Sequence, residues 1–204
     1  MKWVLAVGVL TLLLLGSLAT AFGLTGGQGE SVPGLLAAKK YRGSEPPDGL
    51  RLPSFTLREY TGAVVRSDRL HGKVVLVTFL DSQCNQACPI IAAQIGRTID
   101  GLAAKDRESL EVIAISTDPL EDTAASVRRF LARQRAVGKV RYLTRPAPAI
   151  RSVWKSFKIL SSLESGTDTV HSAPVRIYDR DGFWVPTLHA GVDLTPTNLA
   201  HDIT

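Results

Sequence analysis

The chain has 204 residues, of which 45% are hydrophobic and 21% are charged, and its formal net charge is +5. This composition is typical of an ordinary globular protein, and the length suggests one domain. The excess of basic residues is scattered along the chain and is not interleaved with aromatic residues. The sequence therefore gives no support for nucleic-acid binding.

An apolar segment opens the chain. No charged residue occurs from Trp3 to Leu24, a length that is sufficient to cross a bilayer as a helix. Within it, Ala19-Thr20-Ala21 is similar to the small-residue cleavage site of a secretory signal. We therefore predict that residues 1–24 are either a single membrane anchor or a cleaved signal peptide. The rest of the chain is expected outside the cytoplasm, anchored to the cytoplasmic membrane by one N-terminal helix, or secreted if cleaved after Ala21.

Residues 25–50 are rich in glycine and proline, which predicts a flexible tether.

Residues 51–204 are predicted to form the domain. Its elements in chain order are a β-hairpin (Phe55, Leu57 and Val64, Val65), a strand (Val74–Leu80), a helix from about Pro89 to Ala104, a strand (Leu110–Ser116), a helix capped by Asp122 or Thr123 and reaching about Gln134, a short strand (Val140–Leu143), a helix (Pro148–Phe157), a hairpin (Val175–Tyr178 and Phe183–Val185), and a last short helix starting near Thr195-Pro196.

The alternation of strands and helices predicts an α/β fold with parallel central strands and helices on both faces of the sheet. In such sheets, functional groups gather beyond the carboxyl ends of the strands. The loop after Leu80 and the loop after Ser116 meet that description, as does the segment before Val175 if it crosses the same edge. Asp118, in the second of these loops, is predicted to support a turn or helix cap, with a role beside a bound metal as the alternative.

The two cysteines of the chain, Cys84 and Cys88, lie between a predicted strand and a predicted helix. Because Pro89 is expected near the first helical position, both thiols should lie at a helix N-terminus, where backbone N–H groups and the macrodipole favour the thiolate. Three residues separate them, one more than in a thioredoxin-type redox pair. The loop can close a disulfide, or it can bring both sulfurs to one metal ion, and two thiolates with an imidazole suit Cu(I) or Zn(II). The alternative is a structural disulfide, or two buried thiols that only pack.

The choice of a third ligand remains open on spacing alone. His71 is predicted in a surface turn before a strand, at the opposite end from the cysteine loop. His189 is predicted in a loop, and His201 near an exposed C-terminus. His171 precedes Ser172-Ala173-Pro174 and a strand.

Four segments carry a family resemblance when they are taken together and in order. They are Phe55-Thr56-Leu57 with Gly62 and the segment Leu70–Phe79, the loop Cys84–Pro89, the segment Ile115–Pro119 with Glu121-Asp122-Thr123, and Val170-His171-Ser172 ahead of Asp179-Arg180-Asp181-Gly182. From Phe55 to Gly182 the chain resembles the Sco/SenC family of copper-binding, thioredoxin-fold assembly proteins.

The resemblance implies a thioredoxin-like fold with a central mixed sheet, and one copper ion, Cu(I) or Cu(II), bound by Cys84, Cys88 and His171. It also implies a metallochaperone that delivers copper to, or matures, the binuclear copper site of a respiratory haem–copper oxidase. The implied partners are a copper-accepting oxidase subunit or another cuproprotein, a thiol reductant, and the membrane through the N-terminal segment.

A second hypothesis uses the same cysteines without copper. Cys84 and Cys88 would cycle between dithiol and disulfide, as in a membrane-tethered thiol–disulfide oxidoreductase, with the more exposed Cys84 attacking first. In that case His171 would be a general base or a bystander.

Overall fold

The computed structural model describes residues 39–159 and 173–204. Over these residues a seven-stranded sheet is flanked by helices on both faces. The strands are β1 (Thr56–Glu59), β2 (Val64–Arg66), β3 (Val74–Leu80), β4 (Leu110–Ser116), β5 (Arg141–Arg145), β6 (Val175–Tyr178) and β7 (Trp184–Leu188). The helices are α1 (Ala87–Gly101), α2 (Ala104–Glu108), α3 (Ala124–Arg133), α4 (Ala147–Phe157) and α5 (Pro196–Ile203).

The strand order across the sheet is β2-β1-β5-β4-β3-β6-β7. The central strands β3, β4 and β5 are parallel, while the flanking strands pair antiparallel, so the sheet is mixed. The pairing of β3 with β4 runs unbroken from Val74 opposite Leu110 to Leu80 opposite Ser116. The loops that follow Leu80 and Ser116 therefore begin side by side at one edge, as the sequence predicted.

Strand β3 is buried along its whole length, because each face of the sheet is covered by helices. Leu76 and Leu80 belong to the apolar cluster that contains side chains of α1, α3 and α5. Val77 and Phe79 point to the other face and pack in a second cluster with the side chains of α4. This alternation confirms the prediction of helices on both faces.

One helix boundary differs clearly from the prediction. The helix predicted from about Pro89 to Ala104 spans Ala87–Gly101, because Leu102 leaves the helical conformation with ψ at 148° and ends α1, and the short helix α2 follows from Ala104. Of the two predicted caps of α3, Thr123 is the one used: its hydroxyl accepts a hydrogen bond from the backbone N–H of Ser126 at 3.1 Å. The Asp122 side chain is hydrogen-bonded to other elements and does not cap α3.

Residues 39–50, the last part of the predicted tether, are hydrogen-bonded to the domain. The backbone N–H groups of Arg42 and Gly43 donate to the Asp202 carboxylate of α5 at 2.7 and 2.9 Å. Ser44 exchanges two backbone hydrogen bonds with Thr187 of β7, both 2.8 Å long. The approach is so close that a Cβ at Gly43 would lie 2.6 Å from the Thr187 carbonyl oxygen, so only glycine fits there.

Within residues 39–159 and 173–204, no helix is long and apolar enough to span a bilayer. The predicted anchor or signal at residues 1–24 lies outside the described residues.

Candidate metal and thiol site

The cysteine loop, residues 81–86, joins the end of β3 to the start of α1. Two hydrogen bonds to Asp81 shape its first turn: the Gln83 N–H donates to the carboxylate at 2.7 Å, and the Cys84 N–H donates to the carbonyl at 3.3 Å. Cys88 is the second residue of α1 and is 0% exposed, whereas Cys84 is half-buried. The site therefore has one partly exposed cysteine and one that is buried in the core.

Cys84 and Cys88 are not joined by a disulfide. The Cys84 thiol is close enough to hydrogen-bond with Cys88, and that contact, followed by burial, raises the pKa of the Cys88 thiol above its ordinary value. For Cys88, these two effects oppose the helix N-terminus, which was expected to favour the thiolate. A metal ion that binds this sulfur must displace its proton.

Two of the three predicted ligands lie in the described part of the chain, and they are adjacent to each other. Within residues 39–159 and 173–204, no group of three or more His, Cys, Asp or Glu side chains is placed to hold a metal. The predicted third ligand, His171, lies outside the described residues. Two neighbouring sulfurs, one of them half-exposed, suit a soft ion such as Cu(I) that accepts few ligands.

Three further histidines are described, and each is exposed. His71 precedes β3 at the end of the strand opposite the cysteine loop, as predicted. His201 in α5 has its Nδ1 atom 2.9 Å from the Asp202 carboxylate. His189 follows β7 and lines an open cavity of about 560 Å³ together with Ala87 of the cysteine-bearing helix. Of these three, His189 is the one placed beside the thiol site.

Asp122 lies beneath the cysteine loop, a position that its place in the sequence does not predict. Its Oδ1 accepts a hydrogen bond from the Ser82 backbone N–H at 2.8 Å. Its Oδ2 accepts hydrogen bonds from the hydroxyls of Ser116 at 2.6 Å and Tyr142 at 2.8 Å. Asp122 is 1% exposed and lies between the cysteine loop and the ends of two strands. No local sequence signal distinguishes it from Asp118, because its partners come from three separate elements.

Asp118, by contrast, supports its own turn. Its carboxylate accepts hydrogen bonds from the backbone N–H groups of Leu120 at 3.2 Å and Glu121 at 3.3 Å. These are the contacts of a turn residue, so the structure favours the turn role that was predicted ahead of a role beside the metal.

The pKa of Asp122 is raised to about 6 from an ordinary 3.8, because burial opposes the charged form more than its hydrogen bonds favour it. The folded protein therefore binds this proton at a higher pH than the unfolded chain. As pH falls from 7 to below 4, the wild type should gain up to about 3 kcal/mol in unfolding free energy relative to Asp122→Asn, which has no proton to bind there. Urea unfolding of both proteins at pH 7, 5.5 and 4 measures this difference, and a pH-independent difference would contradict it.

The fold and this site together define a class of protein: an α/β domain with a mixed sheet and a pair of cysteines in the loop between a central strand and the following helix. Comparison with known proteins gives the family. The family model for SCO1/SenC matches residues 45–204. The chain belongs to the SCO1/SenC family, and its fold is thioredoxin-like, as the resemblance implied.

Solved structures agree with this fold. The apo Sco1 protein of Thermus thermophilus is 21% identical with a TM-score of 0.66, and the alignment covers 80% of this chain and 95% of that one. A ScoI of Bradyrhizobium japonicum, solved with copper bound, is 24% identical with a TM-score of 0.59, covering 76% of this chain and 98% of that one.

A curated relative in Stutzerimonas stutzeri, named a "putative copper-binding protein", is 26% identical over 85 residues. The match covers 42% of this chain and 42% of that protein, so the chain matches less than half of the relative's length.

Proposed function

We propose that this protein binds one copper ion through Cys84, Cys88 and His171 and transfers it to a client protein. The observation that carries the proposal is the pair of thiols in contact at the strand–helix junction of a SCO1/SenC domain. The copper-bound ScoI of Bradyrhizobium japonicum supports copper as the ion.

The two cysteines have different roles in holding and releasing the ion. Cys88, sealed in the core, gives up its proton on binding and then provides a fixed thiolate. Cys84 is half-buried, so it is the cysteine that an incoming ligand can approach from solvent. A client thiolate can therefore join the copper on the Cys84 side before the protein's own ligands leave. This order suits transfer rather than storage.

The path of the chain supports His171 as the third ligand. Ala173, two residues further along, packs against the apolar cluster that contains Cys88. Ala173 and Pro174 also line the cavity that Ala87 borders. The described chain thus enters β6 beside the helix that carries Cys88, and this supports His171 as the third ligand. His171 would bind as the neutral imidazole, so copper affinity should fall at acid pH.

The client we propose is the copper-accepting subunit that carries the binuclear copper site of a respiratory haem–copper oxidase. Delivery to such a site places the domain outside the cytoplasm, with residues 1–24 anchoring it to the cytoplasmic membrane. A thiol reductant is needed there, because an oxidising compartment converts neighbouring thiols to a disulfide that cannot bind Cu(I).

The contact between the two thiols also favours a second function, reduction of a client disulfide. The Cys84 thiolate would attack one client sulfur, forming a mixed disulfide and releasing the other client sulfur as a thiolate. The Cys88 thiolate would then attack the Cys84 sulfur and release the second client thiol. The client gains two electrons, and the protein is left with a Cys84–Cys88 disulfide that a thiol reductant must restore.

Replacing His171 with alanine separates these two functions. Under anaerobic conditions, competition with a chromogenic Cu(I) chelator should show that His171→Ala lowers copper affinity by at least about tenfold, because loss of a group that only orients a ligand already costs about 10–100-fold. His189→Ala is the matched control, because it removes an exposed imidazole from the same edge of the sheet, and its affinity should equal that of the wild type.

The same variants should be assayed with a small-molecule disulfide. Unchanged copper affinity in His171→Ala would contradict its role as a ligand. Absence of copper binding in the wild type, with disulfide reduction that depends on both cysteines, would favour the second function.

A further inference from the structure

We propose that Asp122 is a positioning residue for the thiol site: it holds the cysteine loop to the ends of β4 and β5, so that the two sulfurs are fixed before copper arrives. This proposal rests on the proposed function, since it concerns the same site.

On the loop side, Asp122 is hydrogen-bonded to the segment that follows the end of β3. Ser82 lies two residues beyond the end of β3 and two before Cys84, and it is 3% exposed. Its N–H donates to Asp122 at 2.8 Å. The following turn, closed by Asp81, carries the backbone directly to Cys84. A change in the position of Ser82 would therefore move Cys84.

On the side of the sheet, Asp122 is bound to a rigid frame. Ser116, which donates to it, is the last residue of β4 and lies opposite Leu80 in the register. The carbonyl of Ser116 accepts a hydrogen bond from the Trp154 indole N–H at 2.9 Å, which fixes Ser116 from the other face of the sheet. Tyr142, the second hydroxyl donor, is 0% exposed in β5. The Asp122 carboxylate thus fixes the cysteine loop relative to β4 and β5.

Helix capping does not account for Asp122. Thr123 caps α3, and the partners of Asp122 are the N–H and two hydroxyls of other elements. Burying a carboxylate among neutral donors lowers stability compared with leaving it in water. The three hydrogen bonds that offset this cost all lie beneath the cysteine loop. A residue that positions the loop would make its contacts there.

Asp202 provides a matched control. It is another buried carboxylate that accepts backbone N–H groups, from Arg42 and Gly43, and it holds residues 42–43 against α5. Asp122→Asn and Asp202→Asn make the same chemical change at sites of similar burial. Only the first lies under the thiols. Both variants should therefore lose stability. Only Asp122→Asn should change Cys88 alkylation and Cu(I) affinity.

The experiment compares the full chain with these two variants by thermal melting, by the rate of Cys88 alkylation, and by Cu(I) affinity. Both variants should melt at a lower temperature than the wild type. Asp122→Asn alone should speed alkylation of buried Cys88 by about tenfold, the effect of one lost hydrogen bond on local opening. It alone should weaken Cu(I) binding by about 10–100-fold, as loss of a group that orients a metal ligand does.

Equal effects of the two variants on alkylation and copper, or no effect of Asp122→Asn on either, would overturn the proposal. Should Asp122→Asn fail to fold, Tyr142→Phe replaces it: this variant removes one donor to Asp122, should change alkylation and affinity in the same direction, and overturns the proposal if it changes neither. If the wild type binds no copper, the proposed function fails, while the alkylation rates still decide whether Asp122 positions the loop.

Discussion

Replacing Cys84 with serine is expected to lower Cu(I) affinity by more than about 100-fold, since removal of a soft sulfur ligand exceeds the 10–100-fold typical of groups that only orient ligands. The hydroxyl is nearly the same size as the thiol but is a poor ligand for Cu(I). Anaerobic competition titration of the reduced wild type and the variant measures the change.

The fold provides the control for this variant. Cys84 is half-buried, so its replacement by serine should change the unfolding free energy by less than about 1 kcal/mol. Cys88 is 0% exposed, so Cys88→Ser should lose copper binding and also about 1–3 kcal/mol of stability, because it buries a hydroxyl among apolar side chains. A Cys84→Ser protein that keeps wild-type copper affinity would contradict the assignment of Cys84 as a ligand.

Replacing Trp154 with alanine is expected to lower the unfolding free energy by about 3–5 kcal/mol, the range for large core side chains. Trp154 is 1% exposed and belongs to the apolar cluster that holds α4 on the sheet. Its indole N–H also donates to the Ser116 carbonyl, so the variant leaves that acceptor without this donor. Urea denaturation at pH 7 measures the loss.

Trp154→Phe is the matched variant, because it keeps an aromatic ring in the core and removes the indole N–H. It should be more stable than Trp154→Ala and less stable than the wild type. A loss below about 1.5 kcal/mol for Trp154→Ala would mean that the face covered by α4 contributes little to the stability of the sheet.

The parts of the fold that the sequence predicts best are the central strands. Val74–Leu80 and Leu110–Ser116 are short apolar runs between turn signals, and the structure has both strands at those bounds. A strand buried on both faces has to be apolar along its whole length, so its pattern is visible without knowledge of its neighbours. The same reasoning locates the cysteine loop at the carboxyl end of β3.

The predictions fail where tertiary contacts decide. Helix α1 ends at Gly101 rather than near Ala104 because Leu102 is extended, and the apolar periodicity, which includes Leu102, does not indicate this end. Residues 39–50 look like part of a tether because they contain two glycines and two prolines, yet Gly43 lets the chain pack closely against Thr187. Amino-acid composition shows that a glycine is present, but it does not show which neighbouring residue requires a glycine there.

The same distinction applies to the site. The position of Cys84 and Cys88 between a strand and a helix is a local property, and the structure agrees with it. The raised pKa of Cys88 depends on burial and on its contact with Cys84. The role of Asp122 depends on the register that brings Ser82, Ser116 and Tyr142 together, so neither could be predicted from the sequence alone. His171 as a ligand stays a prediction.

The most direct test of the central claim is an anaerobic Cu(I) titration of the full chain in two forms, with Cys84 and Cys88 reduced and with the two joined as a disulfide. We predict that the reduced form binds one equivalent of Cu(I) tightly and that the disulfide form binds none, because a disulfide sulfur is no longer a thiolate ligand. Equal binding by both forms, or no binding by the reduced form, would contradict a copper site built on these two cysteines.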